Sequence, residues 1–86
     1  MKIYFHGDFK KKFKKLREAE KKRFQERSIL FIQNPFHPIF HNHELVGQYR
    51  GYRSINITGD LRVLYEPVGK EAALFVTIDT HSNLYK

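Results

Sequence analysis

Cysteine is missing altogether from the 86 residues, so neither a disulfide framework nor a cysteine-based zinc site is available. A reducing cytosol suits such a chain. No apolar run approaches the ~20 residues of a membrane span. The opening "MKIYFHGDFKKK" lacks the long apolar core of a secretory signal and reads as a first strand. Acidic residues are scarce: nine Asp and Glu stand against sixteen Lys and Arg, a formal net charge of +7. That excess in so short a chain suits an anionic partner, either nucleic acid or an acidic protein segment. Repeats, linkers and low-complexity stretches are also missing, so residues 1–86 are expected to form one domain. Aromatics, by contrast, are plentiful. Eight Phe and five Tyr let a small core bury much area per residue.

The hydrophobic pattern divides the chain in two. "KIYF" is short and β-prone, with Ile3 and Phe5 on one face. Gly7 and Asp8 then punctuate, and the Asp8 carboxylate is suited to cap a helix. Phe9, Phe13 and Leu16 follow at i, i+4 and i+7, which is one helical face. A second apolar stripe, Phe24, Ser28, Phe31 and Ile32, is broadened by Ile29 and Leu30. The pattern predicts two helices with a bend near residues 18–20, or one long kinked helix. Pro35 and Pro38 end it, and residues 34–44 read as a loop. The period then becomes two. "GQYRGYRSINIT", "LRVLYEPV" and "AALFVTI" are separated by turns at residues 58–60 and 67–71, the pattern of an antiparallel meander. The expected class is α+β, in the order β-α-α-β-β-β. It has a mostly antiparallel four-stranded sheet and two N-terminal helices packed on one face.

The ending "TIDTHSNLYK" raises a question, because terminal residues fray unless something ties them down. Either Leu84 and Tyr85 tuck onto the core, or His81 and Tyr85 belong to a site. "HPIFHNH" raises another. His37, His41 and His43 have the spacing H-x3-H-x-H, and imidazoles bind zinc well. Pro38 and the lack of carboxylates other than Glu44 weigh against a metal, so neither metal nor cofactor is expected. A zinc-dependent nuclease would lose activity on chelation.

"NHELVGQYRGYRSINITGDLRVLY", residues 42–65, together with "DTHSNLY", residues 79–85, resembles the RelE/ParE toxin superfamily, and within it the YafQ-type branch. The family pattern is His-x-Leu-x-Gly, Gly-Tyr-Arg, Gly/Pro-Asp-x-x-x-x-Tyr, then Thr-His-x-x-Leu-Phe/Tyr, and all of it stands here in order. The resemblance implies a RelE-like, microbial-RNase-like fold and the toxin of a type II toxin–antitoxin pair. Such toxins are cytoplasmic ribonucleases that cut messenger RNA in the ribosomal A site and are neutralised by a partner antitoxin, usually encoded beside them. It also implies that His43, Asp60 and His81 are catalytic and that Arg62 is the arginine held after the second hairpin turn. Tyr85 then matches the terminal aromatic that packs on a base or joins the chemistry. Two positions depart from the pattern. Asn56 stands where YafQ-type members carry a further histidine, and Thr77 and Ile78 stand where an arginine is common.

The inventory suits metal-free RNA cleavage by the neighbouring 2′-OH. Histidine moves protons near neutrality, and arginine matches phosphate oxygens. His81 is expected as general acid, His43 as a second proton-transfer or phosphate-binding group, and Asp60 as a base or an orienter of histidine. Arg53, Asn56 and Tyr85 are expected to contact substrate. Lys10, Lys11, Lys14, Lys15, Lys21 and Lys22 form either a solvated face, a grip on ribosomal RNA through phosphates, or a seat for the antitoxin. The competing function is non-enzymatic: a ParE-type inhibitor that binds DNA gyrase, or a catalytically degenerate relative that keeps only RNA or antitoxin binding.

Overall fold

The computed structural model describes residues 1–85. Strand β1 (Lys2–Phe5) leads into α1 (Gly7–Lys14) and α2 (Glu18–Gln33). Strands β2 (His43–Glu44), β3 (Arg53–Asn56), β4 (Leu61–Val68) and β5 (Ala72–Thr80) follow, and a short helix, α3 (His81–Leu84), comes last. The sheet has five strands in the order β1-β5-β4-β3-β2. β1 runs parallel to β5, and every other pairing is antiparallel.

The α+β class and the order of helices and meander are those expected, but the four-strand count is not. The fifth strand, β2, is two residues long and lies inside the stretch that reads as a loop. So short a strand leaves no period-two signal, and its partner β3 alone makes it a strand. The run "GQYRGYRSINIT" is extended only from Arg53. Gly47 and Gly51 sit at φ 70° and 95°, conformations that glycine adopts without steric cost, and they fold residues 47–52 back before the strand begins. The tail, for which the residue pattern predicts no element, forms the short helix α3.

The helix break falls at residues 15–17, before the expected 18–20. Arg17 is extended and starts α2. The Glu20 carboxylate accepts the Arg17 backbone N–H at 3.1 Å and its Nε–H at 3.3 Å, satisfying a donor that a helix start would otherwise orphan. These bonds hold the Glu20 carboxyl below the usual carboxylate range. Asp8 is not the cap of α1. His6 caps it, its Nδ1 accepting the Asp8 N–H at 3.0 Å, while Asp8 lies in the first turn.

One face of the sheet packs on the helices. Phe9 and Phe24 from the helices meet Phe75 from β5, with ring centroids 5.3–6.0 Å apart. Phe31 is fully buried, its ring 5.2 to 5.8 Å from those of Tyr65, Phe75 and Phe40. Ile29 and Ile32, counted in the same stripe, are instead 62% and 46% exposed. The stripe is therefore narrower than the apolar run suggests. Phe31→Ala is expected to cost about 3–5 kcal/mol of stability, measured by urea unfolding. A loss below ~1 kcal/mol would mean that the core closes over the void. The other face carries a smaller apolar layer, Leu45, Leu64 and Leu84 with Tyr49 and Tyr52 against it. That layer positions the site.

Candidate active site

Strand alternation sorts the candidate residues by face. Register pairs His43 with Ser54, Ser54 with Leu64, and Leu64 with Thr77. Two residues along, Asn56 pairs with Arg62 and Arg62 with Asp79. Side chains two apart on a strand share a face, so all of these stand on the side away from α2. His43, Leu45, Ser54, Arg62, His81 and Tyr85 line one cleft of ~240 Å³ there. Four separate elements, β2, β3, β4 and α3, contribute to it.

The tail is tied down at several points. Leu84 is buried against Leu45 and Leu64, and the Tyr49 hydroxyl donates to its carbonyl at 3.1 Å. The His81 N–H donates to the Asp60 carbonyl at 2.9 Å. Asp79 makes a clamp: its carboxylate accepts the Thr80 N–H at 2.8 Å, the Asn83 side-chain amide at 2.9 Å and the Lys12 ammonium at 3.2 Å. Of the two residues expected to tuck onto the core, Leu84 is buried and Tyr85 is exposed. Leu84 is the anchor, and His81 and Tyr85, with rings 4.8 Å apart, remain exposed at the cleft.

Burial raises the Asp79 carboxyl, but the Asn83 amide, the Thr80 N–H and Lys12 together outweigh it and hold the group below its ordinary value. A carboxylate lowered in the folded state stabilises the fold above its unfolded value and loses that contribution as the pH falls through the folded one. Wild type is therefore expected to lose ~1 kcal/mol more than Asp79→Asn on acidification below about pH 4. Urea midpoints between pH 6 and 3 measure this, and parallel curves for the two proteins would remove the clamp from the account.

His43 Nδ1 lies 2.8 Å from the His41 carbonyl. A carbonyl only accepts, so Nδ1 carries the hydrogen and the neutral ring keeps its lone pair on Nε2. Arg62 is held over the β3–β4 turn, where Nη1 donates to the Thr58 and Leu61 carbonyls at 3.0 and 3.2 Å and Nη2 to Gly59 at 3.1 Å. Of the five guanidinium N–H donors, two stay unused among the described residues.

Other expected site residues lie apart. Asp60 is exposed at the turn. Its backbone receives the His81 N–H, and its carboxylate does not line the cleft. Arg53 stands on the helix-side face opposite Tyr65, donates to Asn42 at 2.7 Å and lies 5.3 Å from the centre of the Phe36 ring, bracing the loop before β2. Asn56 is half-buried beside Arg62 but outside the cleft lining. Lys10, Lys11, Lys14, Lys15 and Lys22 are exposed and outside any ion pair among the described residues, whereas Lys21 bonds Glu18 at 3.4 Å. His37 caps the turn at Pro38–Phe40. Among the described residues no three His, Asp or Glu side chains converge on a metal-sized site. Sequence reasoning missed Ser54, Leu45 and Lys12, because each acquires its place only from a cross-strand partner or a distant helix.

A second concavity has a different character. Phe5, Phe9, Phe13 and Phe24 line a groove of ~390 Å³, with Lys10 and Lys14 on its rim, and Phe5 is 41% exposed.

A family model described as the bacterial toxin of type II toxin–antitoxin system, YafQ, matches residues 1–86. The structure of YafQ from E. coli strain BL21(DE3) superposes with a TM-score of 0.82 at 23% identity, covering 98% of this chain and 97% of that one. YafQ in the E. coli DinJ–YafQ toxin–antitoxin complex gives 0.78 at 23%, covering 98% and 96%. A YoeB/ParE toxin from Agrobacterium tumefaciens gives 0.75 at 19%, covering 94% and 99%. No curated protein matches the chain in sequence.

Proposed function

Since the chain belongs to the YafQ family of bacterial toxins of type II toxin–antitoxin systems, we propose that it is an endoribonuclease that cuts messenger RNA in the ribosomal A site without a metal. The supporting observation is the cleft itself: two histidines, an arginine and an aromatic from β2, β4 and the α3 tail share ~240 Å³. His43 Nε2 takes the proton of a ribose 2′-OH. The freed oxygen attacks the adjacent phosphorus, the bond to the 5′-oxygen breaks, and His81 returns a proton to that leaving oxygen. The products end in a 2′,3′-cyclic phosphate and a 5′-OH. Arg62 uses its two spare N–H donors on the charge at phosphorus, and Tyr85 stacks on a base. Asp60, with its carboxylate outside the cleft, holds the tail through its carbonyl rather than moving a proton.

The lysines of α1 supply affinity for ribosomal RNA. Lys15 borders a hollow beside Lys12, Asp79 and Asn83, and Asp79 pairs across the strands with Arg62 of the cleft. Phosphate contacts of this kind bind without reading sequence. Reliance on the ribosome to position the message is in keeping with the small open cleft, and a ribosome-bound reaction is a cytoplasmic one. The phenylalanine groove with its lysine rim suits an apolar, acidic segment of an antitoxin that orders on docking.

In vitro translation of a defined message, with primer extension to map breaks, tests the reading. Breaks at fixed positions within codons are expected with wild-type protein. They should persist with a zinc-selective chelator that spares the Mg²⁺ the ribosome needs. Breaks lost on chelation would indicate a zinc nuclease, and an intact message would favour a non-enzymatic inhibitor.

A further inference from the structure

Ser54 is fully buried, and its hydroxyl has no hydrogen-bond partner among the described residues. Buried polar groups without a partner are rare because leaving water uncompensated is unfavourable. Ser54 lines the cleft together with His43, Arg62, His81 and Tyr85 and pairs directly with His43 across β2 and β3. Cross-strand partners on one face bring their Cβ atoms to about 5 Å. His81 and Tyr85 are exposed, and their side chains make no hydrogen bond among the described residues. Either ring can therefore turn without breaking a hydrogen bond.

We propose that the Ser54 hydroxyl is a substrate ligand, donating its hydrogen to a non-bridging oxygen of the phosphate seated between His43 and Arg62. The hydroxyl then finds in the complex the partner it lacks in the free protein. The proposal rests on the RNA-cleaving reading above. Thr77 supplies an internal control. Its hydroxyl is also buried and, among the described residues, unpartnered; it stands on the same face, separated from Ser54 by Leu64, but does not line the cleft.

The experiment compares Ser54→Ala, Ser54→Thr and Thr77→Val with wild type by melting temperature, by cleavage on programmed ribosomes, and by titration with an RNA trinucleotide carrying a 2′-deoxy substitution that blocks cutting. Ser54→Ala is expected to melt no lower than wild type, because it removes an unsatisfied group. It should also cut ~100-fold more slowly and bind the trinucleotide ~10-fold more weakly. Ser54→Thr keeps the hydroxyl and should restore most of both, and Thr77→Val should change neither. A packing role predicts the reverse, a lower melting temperature with unchanged activity, and that result would overturn the proposal. Equal cleavage by Ser54→Ala and wild type would overturn it while leaving the ribonuclease reading standing. If wild type does not cut at all, the ribonuclease reading fails. The titration then decides alone, and equal affinity of the two proteins overturns the role of Ser54.

Discussion

His81→Ala is expected to lower mRNA cleavage ~10²–10⁴-fold, the usual contribution of a positioned proton donor, without unfolding the tail. The fold does not depend on the imidazole. His81 is exposed, and its side chain makes no hydrogen bond among the described residues. Its backbone N–H, which does make one with the Asp60 carbonyl at 2.9 Å, is kept by alanine. The buried Leu84 and the Asp79 clamp continue to hold α3. Only the ring contact with Tyr85 at 4.8 Å is lost, which is worth under ~1 kcal/mol at an exposed site. The measurement is single-turnover cleavage on programmed ribosomes beside a thermal melt. A variant that melts as wild type and no longer cuts supports His81 as the acid. A variant that arrests growth as strongly as wild type would remove His81 from the chemistry and favour inhibition by binding alone.

Arg62→Ala is expected to reduce cleavage ~10²–10³-fold, as for loss of one preorganised charge-stabilising donor, and Arg62→Lys is expected to recover little of it. The guanidinium is positioned by three bonds to the carbonyls of Thr58, Gly59 and Leu61. These bonds fix its plane and leave two donors for a phosphate. A lysine ammonium carries the charge but neither the plane nor the fork. The same bonds tie down the β3–β4 turn, so a stability loss of ~1 kcal/mol accompanies either change. Cleavage must therefore be compared at a temperature where all three proteins are folded. Full activity in Arg62→Lys would show that charge alone suffices and that the geometry of the turn is incidental.

How much was legible depends on whether a residue's place follows from its neighbours in sequence. Phe9, Phe13 and Leu16 announce a helix face, and Leu61, Val63 and Tyr65 announce a strand face, because periods of 3.6 and 2 arise from local backbone geometry. His43, Arg62, His81 and Tyr85 were legible as a set through a motif spread over the chain. Arg53 and Asp60 belong to the same motif and yet lie outside the cleft. Arg53 alternates onto the helix-side face beside Tyr65. Asp60 sits in a turn whose carbonyl, not its carboxylate, meets His81. The helix break at residues 15–17 was not legible, since no proline or glycine marks it. It follows from the Glu20 carboxylate reaching back to Arg17.

The sequence by itself determined the α+β class, the two helical faces, the alternation of β3, β4 and β5, the excess of positive charge and the residue types available for moving protons. All of these depend on composition or on contacts within a few residues. Tertiary structure alone decided that β1 lies parallel to β5 and that a two-residue strand, β2, carries His43 to the sheet. It also decided that Ser54 faces His43 and that Lys12 reaches Asp79 across 67 positions of chain. Each of these joins residues that are not neighbours in the chain. Loop closure makes such contacts costly in entropy, so they persist only where burial of the whole core offsets that cost, and no local pattern of residues records them.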